Sequence, residues 1–92
     1  MIRHIDLDDD PLLRQRKLHS LIRLKRITLG GHRKLKIYGR LSCSSGKQMK
    51  PENRVFFETE TAAIQAGYRP CGHCMPDAYR QWKAGLTGHF HP

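Results

Sequence analysis

Three cysteines in a chain of 92 residues constrain its fold more than any other feature. Cys71 and Cys74 form a CxxC knuckle within Tyr68-Arg69-Pro70-Cys71-Gly72-His73-Cys74, and Cys43 stands well upstream. A chain this short buries only a modest core, so a staple adds substantially to its stability. An odd number of cysteines cannot all pair internally, and close spacing in a reducing compartment points to metal or catalysis rather than to disulfides. Zn²⁺ takes four tetrahedral N or S ligands, and a CxxC turn offers two thiolates from one tight loop. The spacing therefore reads as a Zn²⁺ site with Cys43, Cys71 and Cys74 as three sulfur ligands and a fourth ligand to be found elsewhere.

Around this constellation the chain reads as one α+β domain over 1–92, with a core at 26–84. Asp10 caps a helix that opens at Pro11 and runs to about Leu24, with Leu18, Leu21 and Ile22 facing inward. Ile27-Thr28-Leu29 suggests a strand and Gly30-Gly31 a turn. Lys34 to Tyr38 alternates as a half-buried strand, and Arg54-Val55-Phe56-Phe57 gives a third. Thr59 caps a short helix that Gly67 ends. Pro76 opens a last helix closed by Gly85. The expected fold is a short antiparallel or mixed sheet of about three strands flanked by helices. Residues 86–92 read as a flexible tail. There is no internal repeat, and no apolar run reaches the ~20 residues that span a bilayer. With no apolar leader at Met1 to Asp6, the expected location is the cytoplasm, and the expected state is a monomer.

The formal charge is +9, and mean hydropathy is −0.64. That balance favours a polyanionic partner, nucleic acid first. Arg33, Lys34, Lys36, Arg40, Lys47, Lys50, Arg54 and Arg69 are the candidate phosphate contacts. Arg69 has an equal alternative role, packing beside the knuckle and bonding a backbone carbonyl. No base-reading helix is evident, so little sequence specificity is expected. The competing reading is a structural or protein-interaction domain whose charge serves solubility or an acidic partner, with Tyr79, Trp82 and Phe90 as its apolar patch.

Tyr38-x-x-x-x-Cys43, Pro51-Glu52-Asn53-Arg54-Val55-Phe56-Phe57 and Ala63-x-x-Ala66-Gly67-Tyr68-Arg69-Pro70-Cys71-x-x-Cys74 together resemble the Ada-type metal-binding domain family. The resemblance covers about 37–83. It implies a small zinc-stabilised α+β fold with Cys43, Cys71 and Cys74 as ligands. The family usually carries a Cys, or in relatives a His, directly after the aromatic residue that is Tyr38 here. In the family's DNA-repair members that Cys is both a zinc ligand and the acceptor of methyl groups from DNA phosphotriesters. This chain has Gly39 there, which offers no donor and no nucleophile. The expectation is a non-catalytic relative. Repair or sensing through another cysteine is the weaker alternative.

Six histidines could supply the missing donor. His4, on the segment before the first helix, is the leading candidate. His19, His89, His91 and water remain open. His32 is set aside because the second strand separates it from Gly39, and His73 because its position inside the knuckle would turn its ring outward. Cys71-Gly72-His73-Cys74 also matches the active-site tetrad of disulfide isomerases, but too little chain follows Cys74 for their fold, and Arg69-Pro70 replaces the usual Trp.

Overall fold

The computed structural model describes residues 1–43 and 49–85. Two 3-10 turns, His4–Asp6 and Pro51–Asn53, accompany five strands and three helices. The strands are β1 (Ile2–Arg3), β2 (Leu29–His32), β3 (Ile37–Arg40), β4 (Arg54–Phe57) and β5 (Arg69–Pro70). The helices are α1 (Pro11–Arg23), α2 (Glu60–Gln65) and α3 (Pro76–Lys83). One mixed sheet runs in the order β1-β4-β2-β3-β5. Its pairs are antiparallel except β3 with β5, which is parallel. The fold is thus the small α+β arrangement expected from the sequence, with five strands rather than about three. The two extra strands, β1 and β5, are two residues each, too short to leave a periodic signature.

The helices start where local chemistry directs. The Asp10 side chain accepts from the Leu12 N–H, with Pro11 in the first turn of α1, as an N-cap followed by proline should. Thr59 accepts from the Ala62 N–H at the start of α2. Gly67 follows α2 at φ +87°, a left-handed position that glycine adopts without strain.

Alternation along β4 splits the core between the two faces of the sheet. Val55 and Phe57 join Tyr38, Ala63 and Tyr68 on the α2 side. Phe56 joins Leu18 and Ile27 on the α1 side, with Leu21, Ile22 and Leu41 against them. The Tyr38 hydroxyl donates to Glu60 Oε2 at 2.7 Å, tying β3 to the first turn of α2.

The β2–β3 hairpin departs from the expected register. Gly30 and Gly31 are not a turn; they lie within β2, opposite Gly39 and Tyr38. The turn is 33–36, and Lys36 takes its left-handed residue at φ +57°. Leu35, an apolar position in the stretch read as a half-buried strand from Lys34 to Tyr38, is exposed in that turn. The reason is packing. A β-carbon on Gly31 would lie 2.9 Å from the Ile37 carbonyl oxygen and 3.2 Å from the Phe57 ring. Glycine there permits close approach of β3 and the core, not a reversal of the chain.

Candidate metal centre

β3 carries the backbone on which the cysteines gather. The Cys71 N–H donates to the Tyr38 carbonyl at 2.7 Å, extending the parallel pairing of β3 and β5 by one bond. The chain then turns, with the Met75 N–H bonded to the Cys71 carbonyl, and Cys74 comes back over β3. Its sulfur accepts from the Arg40 N–H at 3.3 Å. Cys43 reaches the same place through a turn closed by its N–H on the Arg40 carbonyl. The three Sγ atoms lie within 4.8 Å of one another. Tetrahedral zinc with bonds of about 2.3 Å needs sulfurs about 3.8 Å apart, so this grouping fits a metal ion with little adjustment.

The electrostatics agree with that fit. Burial pushes the Cys74 thiol up to about 11; the Arg40 N–H pulls against this, and bonds to Cys43 and Cys71 add to it. A thiol held in that state resists ionising unless a cation supplies the balancing charge. None of the three cysteines forms a disulfide.

Gly39 forms the floor of this centre. A β-carbon there would sit 2.7 Å from Cys74 Sγ and 3.1 Å from Cys71 Cβ. The knuckle therefore lies in the space that a side chain at 39 would claim, and a donor at that position would point straight at the sulfurs.

Among the described residues, no histidine or carboxylate joins the cysteines. His4, the leading candidate from sequence, is not brought to them. It follows β1, so β4 and β2 separate it from β3. Its ring is buried edge-on against Phe56, with centroids 5.4 Å apart. The pairing of β1 with β4 and the packing of the ring on Phe56 hold it there. His19 is exposed on α1 and contacts Gln15. His32 Nδ1 accepts from the N–H groups of Lys34 and Leu35, both at 3.2 Å, so the neutral ring carries its proton on Nε2 and has no lone pair left for a metal. His73 is exposed. His89 and His91 lie outside the described residues.

The basic candidates separate into two places. Arg54 pairs with His32, and Ile37 pairs with both His32 and Arg69. This register collects Arg54, Arg69 and the turn residues Arg33, Lys34 and Lys36 at one end of the sheet. Lys50, just before the Pro51–Asn53 turn, adjoins them through the Arg33 N–H bond to the Asn53 carbonyl. Arg40 stands apart, at the cysteines. Lys47 lies outside the described residues. Arg69 donates to the Pro70 carbonyl at 3.0 Å, and its guanidinium lies over Tyr79 and Trp82, at 5.2 and 5.5 Å from the ring centroids. That is the packing role; it also covers part of the aromatic pair read as an apolar patch.

A sheet edge that carries three clustered thiolate donors beside a helix defines a small metal-binding domain. The family model for the metal binding domain of Ada matches residues 23–77. This chain belongs to that zinc-binding family. No curated protein and no solved structure matches it. Among the described residues, no helix is long and apolar enough to cross a membrane.

Proposed function

We propose that this chain is a non-catalytic zinc module that binds DNA or another nucleic acid through the hairpin end of its sheet, in the cytoplasm. The observation that carries this reading is the collection of Arg33, Lys34, Lys36 and Arg54 at one end by strand register. The ion pairs among the described residues, Lys17 with Asp8 and Arg80 with Asp77, lie elsewhere. A cluster of cations without carboxylate partners suits a phosphate backbone. Cys43, Cys71 and Cys74 would hold the zinc, whose part is to fix the knuckle against β3. Methyl transfer is absent from this reading because Gly39 has no thiolate to accept the group. The alternative, an acidic protein partner met through Tyr79 and Trp82, is weakened by the Arg69 side chain lying over both rings.

Fluorescence anisotropy of a labelled duplex across a salt series tests the reading. Binding should weaken steeply with salt. A Lys34→Ala/Lys36→Ala variant should lower the log–log salt slope by about 0.9 for each phosphate that is no longer neutralised. Binding that ignores salt, or a variant with the wild-type slope, would remove this surface from consideration.

A further inference from the structure

A cleft of ≈ 320 Å³ opens beside the cysteines, lined by Cys43 and Cys71 of the metal reading and by Arg54 of the nucleic-acid reading. Gly30 pairs with Phe56 on one side and with Gly39 on the other. Strands step about 4.8 Å apart, so Phe56, Gly30 and Gly39 form a row about 10 Å long across the sheet. Two of its three members have no side chain. The space above Gly30 is open enough that a β-carbon would meet only ordinary contacts, 3.7 Å or more away. Cys43 and Cys71 line one end of the cleft, and Arg54 also lines it.

The Arg54 guanidinium lies 5.0 Å from the centroid of the Phe56 ring. It is half-buried, and no carboxylate pairs with it among the described residues. Burial pulls its pKa below the ordinary guanidinium value, yet an arginine keeps its charge in a protein. A half-buried cation of this kind calls for an anion. At the other end of the row, three thiolates leave a metal one donor short of four. The chain supplies none from its described residues, and the family's usual donor position is Gly39.

We propose that this cleft binds a small anionic thiol, a mercaptocarboxylate in its simplest form, with its carboxylate on Arg54 and its sulfur at the Gly39 end as the fourth donor. Sulfur matches the soft set of Cys43, Cys71 and Cys74, and the thiol proton passes to solvent on binding. A mercaptocarboxylate is short enough to lie within the row. Gly39 makes room for the knuckle and Gly30 for the ligand, since any larger side chain at 30 would occupy the space the ligand needs. The inference rests on the loaded three-cysteine centre, and it shares Arg54 with the proposed nucleic-acid surface.

The test uses the full chain loaded with Co²⁺, kept reduced by a phosphine, and titrated with mercaptoacetate. Cobalt makes the coordination visible as ligand-field and thiolate charge-transfer absorption. The expected result is a saturable spectral change at one equivalent bound. Neutral 2-mercaptoethanol should bind more weakly. Arg54→Gln should lose about tenfold or more in affinity for mercaptoacetate, the scale of one charge-assisted hydrogen bond. Gly30→Val should still load cobalt but respond to neither thiol. Four results would overturn the proposal. The protein fails to load cobalt; mercaptoacetate strips the metal without a ternary spectrum; the two thiols bind alike, with Arg54→Gln unchanged; or the untreated protein already shows a complete four-donor spectrum that a His89→Ala/His91→Ala variant loses.

Discussion

His4 shows how a residue suited to one task is held by another. From sequence it is a metal-ligand candidate; in the fold it closes the α1-side core against Phe56. Its Nδ1 is buried and has no hydrogen-bond partner among the described residues, an arrangement that tolerates the neutral ring and opposes the charged one. Its pKa is accordingly lowered, first by burial and then by the Arg54 and Arg14 charges. The sign follows from linkage. Below the unfolded value of about 6.5, the unfolded chain takes up a proton that the folded chain excludes, so stability falls as pH drops. Above that value His4 makes no such contribution. Urea melts between about pH 7.5 and about pH 5.5 should show this decline, and His4→Phe should flatten the part His4 causes. Metal loading also weakens in acid, so both proteins are compared without metal. Identical slopes would mean that His4 does not set the acid sensitivity.

At the scale of elements, legibility follows the length of each signal. The α1 cap at Asp10-Pro11, the α2 cap at Thr59 and the glycine at 67 are local chemistry, and each is found where the sequence suggests. β4 is readable from the strand-forming run Val55-Phe56-Phe57. The cysteine grouping is readable from spacing. β1 and β5 are not, because two residues carry no period and their pairing is decided by long-range contacts. The hairpin misleads because Gly-Gly is an ordinary turn signal, and only the ring of Phe57 and the carbonyl of Ile37 reveal why β2 needs glycine. The cleft is hidden for the same reason, since it exists only once Gly30 and Gly39 are paired. Gly31→Ala checks this account of the hairpin. The added methyl must push against a backbone oxygen 2.9 Å away, which cannot swing aside. The expected cost is about 1–3 kcal/mol in a urea melt, the usual scale of overpacking. Gly30→Ala, with ordinary contacts around its β-carbon, should cost much less. Equal costs would mean that strand propensity, not close approach, selects glycine in β2.

For the whole molecule, the decisive question is what holds the β5–α3 end in place. The buried core is concentrated on β3, β4 and the helices α1 and α2. α3 contributes no buried residue; its anchors are the knuckle, the bonds that Met75 and Tyr79 make at its start, and the stack of Arg69 on Tyr79 and Trp82. A metal on Cys43, Cys71 and Cys74 would join that end, through the two knuckle sulfurs, to the turn after β3, so its binding energy would go largely into docking α3. Removing it should therefore act in two ways. The melting temperature should rise with free zinc, because an ion that binds only the folded state adds about 2.7 kcal/mol at a hundred times its Kd. For a domain of this size that is about 10–20 °C. Hydrogen exchange should then show where the stability resides. After chelation, the amides of Met75 and Tyr79 should lose protection while those of Val55 to Phe57 keep most of theirs. A melting temperature indifferent to chelator would exclude a structural metal. Uniform loss of protection would show that β2, β3 and β4 do not form a stable unit without it, making the three cysteines the staple of the entire fold rather than of one end.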